Sequence, residues 1–167
     1  MDYIGEYREP FRWASDDLYH PDMKDYVEGN YSADNQLSDK DQNESRLWKY
    51  YEGIRKASTF IQNVDRCSEL TMDEIADMKG QARFLRAYCY WALIRVYGPV
   101  PLIPLEGLDV NLSYEELSLP REHFDNLVDF IDQELAESAR SLPTKRTVNN
   151  LGRPTRGAAL GLRSRVL

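Results

Sequence analysis

Two adjacent carboxylate pairs, Asp16-Asp17 and Glu115-Glu116, come closest to a catalytic pattern in this chain. Paired carboxylates cleave glycosidic bonds when they face one scissile bond from two sides. Neighbouring residues on a strand or helix point apart, so these pairs read as solvated charge. His20 and His123 are the two histidines, and neither has a partner at metal-ligand spacing. No Gly-x-x-x-x-Gly-Lys loop, Gly-x-Ser-x-Gly turn or Cys-x-x-Cys pair occurs. Neither an enzyme nor a cofactor site is expected.

Binding chemistry is better represented. Eleven tyrosines, three tryptophans and five phenylalanines give many flat faces. Sugar rings stack on such faces, and helix–helix cores use them equally. In the front of the chain, Trp13, Tyr19 and Tyr31 are candidate stacking faces. Asp16, Asn30 and Asn35 lie among them, and carboxylates and amides each make two bonds to neighbouring hydroxyls. The same six residues can equally cap turns and pack a scaffold.

The elements that must position these residues fall into two regions. Residues 1–42 are rich in Asp, Asn, Ser, Gly and Tyr, with turn clusters at Tyr19-His20-Pro21-Asp22 and Glu28-Gly29-Asn30-Tyr31. A long irregular segment of this kind is usually functional, so it is the candidate ligand-facing region. From residue 43 to 167 the pattern is helical. Asp41 and Glu44 open a first helix whose face is Leu47, Tyr51, Ile54, Ser58, Ile61 and Val64, with Trp48 and Phe60 beside it.

Thr71 and Glu74 form a capping-box pattern, which starts a second helix near Met72. Ile75, Met78, Ala82, Leu85, Cys89, Leu93 and Val96 mark one buried face, and Phe84, Tyr88 and Trp91 a second. Lys79, Arg83, Arg86, Tyr90 and Tyr97 are left as a narrow polar stripe, its arginines solvated or paired with acids. Two apolar faces imply an inner position between neighbours. Gly98 and Pro99 stop the helix, and residues 100–104 should run extended.

Ser113 to Glu116 is expected to make a turn. A third helix is expected after Ser118, with Pro120 in its first turn, Pro143 past its end, and Phe124, Leu127/Val128, Ile131, Leu135, Ser138/Ala139 and Leu142 on its face. A fourth starts near Thr155 with Ala158, Ala159, Leu162 and Val166 on its face. It runs to Leu167 without a stop signal, so a longer protein is expected. Four helices in two antiparallel pairs predict an all-α fold of tetratricopeptide-like stacked hairpins behind a long irregular N-terminal segment.

The net charge of −7 disfavours nucleic acid as a partner. No uncharged apolar run approaches the about eighteen residues needed to span a bilayer. Residues 1–6 show neither a signal pattern nor a cysteine for lipid attachment, so a cytoplasmic protein or a start that has been cut away is expected. Cys67 and Cys89 fall on different elements, and pairing and free thiols both stay open.

Three blocks, in order, resemble the SusD/RagB family of Bacteroidetes outer-membrane lipoproteins. The first is Leu47-Trp48-Lys49-Tyr50-Tyr51-Glu52-Gly53-Ile54, continuing to Asp65, with Ser58 where asparagine is usual. The second is Gly80-Gln81-Ala82-Arg83-Phe84-Leu85-Arg86-Ala87, with Gln81 in place of glutamate, followed by Tyr97-Gly98-Pro99-Val100-Pro101-Leu102. The third is Gly152-Arg153-Pro154-Thr155-Arg156-Gly157-Ala158-Ala159.

The resemblance implies non-enzymatic binding of a glycan or other nutrient at the outer-membrane surface. It implies delivery to a SusC-like TonB-dependent transporter. Membrane attachment would be through a lipid anchor that this chain lacks. It also implies structural roles for the motif residues: Trp48, Phe84, Leu85 and Tyr88 in the core, Gly98 and Pro99 at the helix exit, and Gly152 and Arg153 before the fourth helix. The alternative is an intracellular tetratricopeptide-like scaffold that holds a peptide in a groove.

Overall fold

In this computed structural model the described residues are 28, 46–108, 111 and 113–167. They form α1 (Arg46–Asn63), α2 (Met72–Tyr97), the one-turn α3 (Tyr114–Leu117), α4 (Phe124–Ser141) and α5 (Arg156–Val166). Single 3-10 turns follow α1 at Val64–Arg66 and precede α5 at Val148–Asn150. No strand occurs among the described residues. The fold is all-α and tetratricopeptide-like, with helical hairpins stacked on one another, as the sequence pattern predicts.

Helix α2 is the centre of the stack. Its start is the predicted capping box: the Thr71 hydroxyl accepts from the Glu74 amide at 3.3 Å, and the Glu74 carboxylate accepts from the Thr71 amide at 2.8 Å. Such caps contribute about 1 kcal/mol. Its end is Gly98 at φ 65°, whose N–H donates to the Ile94 carbonyl. Ile75, Ala82, Ala87, Cys89, Tyr90, Ala92, Leu93 and Ile94 are all buried, so the helix is covered on more than one side.

Two glycines let the neighbouring helices approach α2. A Cβ at Gly53 of α1 would lie 3.1 Å from the Cys89 Sγ. A Cβ at Gly80 of α2 would lie 3.0 Å from the Ser141 Cβ and 3.3 Å from Leu142. There the Ser138 hydroxyl of α4 donates to the Gly80 carbonyl at 2.8 Å. Helix α4 shows the amphipathic repeat expected of it, with Leu127, Ile131, Leu135, Ser138 and Ala139 all buried. Helix α5 closes the second hairpin through Ala159 and Leu162, and Thr155 caps it by accepting from the Ala158 amide at 3.2 Å.

Four expectations need correction. The third helix starts at Phe124, not at Pro120. Arg121 instead donates to the Tyr97 and Pro99 carbonyls, and the Glu122 amide donates to the Val100 carbonyl at 3.1 Å. That backbone is committed elsewhere and cannot begin a helix. Trp48 is 73% exposed and is not a core residue, because it stands on the opposite side of α1 from Ile54 and Ala57. The stripe through Lys79 and Arg83 is not a polar surface throughout, since Arg86 and Tyr90 are 3% and 0% exposed. Ala158 is exposed, leaving Ala159 and Leu162 as the buried face of α5. The open question on the thiols is resolved: Cys67 and Cys89 are both free.

Candidate functional site

The densest polar constellation among the described residues lies where α1, α2 and α4 meet residues 99–105. It begins with Arg86, placed on the inner side of α2 by the helical repeat. Its guanidinium donates to the Ile103 carbonyl at 3.0 Å and lies 4.9 Å from the Phe130 ring centroid. The buried Glu134 of α4 faces it at 3.7 Å and also accepts from Arg83. Burial pushes the Glu134 carboxyl above its usual range, and the two guanidiniums pull it only part of the way back.

Tyr90 completes the inner layer. Its hydroxyl accepts from the Ile103 amide at 2.8 Å, and its ring meets Phe130 edge-on at 5.3 Å. Tyr51 of α1 packs edge-on against Tyr90 and donates its own hydroxyl to the Pro101 carbonyl at 2.9 Å. Gln62 of α1 donates to the Leu105 carbonyl. Burial raises both tyrosines above the usual phenol range, and it pushes the neighbouring Cys89 thiol up to about 12.

The extended segment is therefore held at both backbone edges while its apolar side chains fill gaps. Val100 is buried in the main core with Leu102 against it, and Leu105 packs on Ala57, Ile61 and Ala82. The prolines explain why this can be a strap: residues that lack an N–H need no ladder partner and stay extended. Chemically the constellation is a fastener: Arg86 and Glu134 are buried against one another, with the Arg86 Nε and one Glu134 oxygen left without a hydrogen-bond partner, and only Arg83 reaches the surface.

Surfaces that can meet a ligand lie elsewhere. Trp48 offers an open indole face on α1. Phe84, Tyr88 and Trp91 form a half-buried ladder along α2, with ring centroids 6.4 and 5.6 Å apart and the Arg95 guanidinium 4.2 Å over Trp91. Helical spacing gave the ladder; it could not give the exposure of Trp48, because Trp48 stands three residues before Tyr51, which does face the core. The six sequence candidates, Trp13, Asp16, Tyr19, Asn30, Tyr31 and Asn35, lie outside the described residues, as does the boundary near residue 42. Among the described residues no cluster of three His, Cys, Asp or Glu can hold a metal, and no helix is long and apolar enough to cross a membrane.

Residues 13–167 match a SusD-like family described as starch-binding and associating with the outer membrane. A SusD-like protein of Formosa agariphila is 27% identical over 100 residues, covering 51% of this chain and 19% of that protein. A SusD-like protein from Bacteroides fragilis is similar in structure at 30% identity and a TM-score of 0.64, over 72% of this chain and 23% of its own. Surface glycan-binding protein A from Bacteroides uniformis is similar at 26% identity and a TM-score of 0.62, over 72% of this chain and 26% of its own. The chain spans about a fifth of the length of the Formosa relative, 19%.

Proposed function

The chain belongs to the SusD-like, outer-membrane-associated family, and on that premise we propose that it takes part in non-enzymatic capture of a saccharide at the cell surface. The observation that carries this reading is the family match over residues 13–167. The similar Bacteroides uniformis protein, named as a surface glycan-binding protein, supports it. In this reading the captured oligosaccharide passes to a SusC-like TonB-dependent transporter, and the protein is held at the membrane by a lipid anchor.

Residues 1–42 are the ligand-facing region in this proposal. Trp13, Tyr19 and Tyr31 stack on sugar rings, while Asp16, Asn30 and Asn35 bond their hydroxyls. Trp48 is proposed as a separate stacking face on α1, on the strength of its 73% exposure. Loss of a base- or sugar-sized stacking ring weakens such a contact by roughly tenfold.

The test is retention of the whole protein in affinity gels carrying a panel of soluble polysaccharides. Trp13→Ala, Tyr31→Ala and Trp48→Ala are run beside it. Retention that these changes weaken supports both function and site. Retention indifferent to all three keeps the function and rejects these residues. A folded protein that no glycan retains rejects saccharide capture.

A further inference from the structure

Charge is distributed unevenly along the sequence. Residues 138–167 hold seven basic residues and no acidic one, whereas residues 1–137 hold fourteen basic and twenty-eight acidic. The basic stretch comprises the last residues of α4, the loop that follows and α5. Three of its cations are occupied. Arg140 pairs with Glu137, Arg146 with Asp77 and Arg163 with Asp132. The other four, Lys145, Arg153, Arg156 and Arg165, are exposed, and none pairs with a carboxylate among the described residues, though Arg153 donates to the Gln81 side-chain oxygen at 3.4 Å.

The loop carries a second feature. Val148 and Leu151 are 82% and 72% exposed. They flank a 3-10 turn in which the Leu151 amide donates to the Val148 carbonyl. Side chains three residues apart on such a turn eclipse one another, so the two aliphatic groups point the same way. The loop is not loose: Arg146 donates to both Asp77 oxygens, at 2.6 and 2.8 Å, and to the Pro154 carbonyl at 2.7 Å. A fixed loop thus presents an aliphatic pair within a short stretch that also carries Lys145, Arg153 and Arg156.

Apolar groups that enter a headgroup layer beside cations that pair with phosphate are the chemistry of a membrane-surface contact. We propose that the loop around Val148 and Leu151 docks on an anionic lipid surface, with Lys145, Arg153 and Arg156 against lipid phosphates. An acidic surface is also the partner that charge complementarity selects for residues 138–167, which hold seven basic residues and no acidic one. The family's association with the outer membrane places such a surface within reach. The proposal goes beyond saccharide capture and does not depend on which glycan is bound.

The test is co-sedimentation of the whole protein, without a lipid anchor, with phosphatidylcholine vesicles and with vesicles containing about one-third phosphatidylglycerol. Binding is expected to the anionic vesicles only, and to fall between about 50 and 500 mM salt. Arg153→Gln with Arg156→Gln should weaken it by about fivefold per cation removed. Val148→Ser with Leu151→Ser should weaken it at high salt as well, and Arg66→Gln, an exposed cation after α1, should change nothing. All five positions are exposed, and far-UV circular dichroism is the check that each variant folds. Equal binding to both vesicles, or binding untouched by the loop variants, overturns the proposal. So does a folded protein that binds no vesicle, which would make an acidic protein the occupant to test. Glycan retention of the same variants should stay at the parent level, so this proposal and saccharide capture fail separately.

Discussion

Removing the Glu134 carboxylate should cost the fold more than any other single polar change among the described residues. Glu134→Ala strands the Arg86 guanidinium, which is buried and keeps only the Ile103 carbonyl and the Phe130 ring as partners. It also frees Arg83, which is partly exposed and can turn to water. The cost is therefore set mainly by Arg86. Breaking a buried ion pair from one side costs about 3–5 kcal/mol, against a typical domain stability of about 5–15 kcal/mol. Equilibrium urea unfolding reads it directly. With a slope of about 1–3 kcal/mol per molar urea, the midpoint should fall by roughly 2 M. The double change Arg86→Met with Glu134→Leu should recover most of that loss, because it removes both charges and keeps the volume. A fall worth less than about 1 kcal/mol in Glu134→Ala would contradict a sealed ion pair. It would mean that the guanidinium finds water without the carboxylate, so the pair does not sit in a sealed core.

Gly98→Ala should destabilise by about 1–3 kcal/mol through backbone strain alone. Gly98 has φ 65° and ψ −146°, and a Cβ there meets no atom within 4 Å; a melting temperature unchanged from the parent would contradict this. Stability should fall in alkali. Cys89, Tyr51 and Tyr90 all have raised folded-state values, so the folded form keeps protons that the unfolded form releases. The stabilising difference is complete below about pH 9 and is lost as pH climbs toward the folded values, at about 1.4 kcal/mol per pH unit for Cys89 alone. Urea midpoints that hold steady across that range would count against it. Iodoacetamide at neutral pH should modify Cys67 and spare Cys89, whose thiol burial raises to about 12, whereas both react in denaturant; mass spectrometry of the native protein gives the answer.

Much of the scaffold was legible in the residues. The Thr71–Glu74 cap, the Gly98-Pro99 stop, the Thr155 start and the α4 repeat are local signals, and each stands where its chemistry puts it. What escaped was tertiary. Arg86 and Tyr90 read as surface groups by type, and only the arrival of Glu134 and the Ile103 backbone makes their burial affordable. Trp48 reads as core by type, yet it is 73% exposed, and no described residue covers its side of α1. Pro120 looked like a first-turn proline because the sequence cannot show that Arg121 and Glu122 are needed by residues 97–100. The ligand candidates of residues 13–35 rest on residue chemistry alone, and no periodicity in that stretch says which of them come together.

The strap over residues 99–105 also bears on how the molecule comes apart. A helical solenoid ordinarily melts one repeat at a time, because each hairpin touches only the next. Here Tyr51 and Gln62 from the first helix, Arg86 and Tyr90 from the second, and Arg121 ahead of the fourth all grip the same seven-residue length of backbone or its flanks. Those grips join residues as far as 50 apart in the chain, so the strap can seat only after both hairpins have met. Once seated, it gives each hairpin a stake in the other's persistence. The array then behaves less like beads on a string than like a bundle with one buckle, opening all together or not at all.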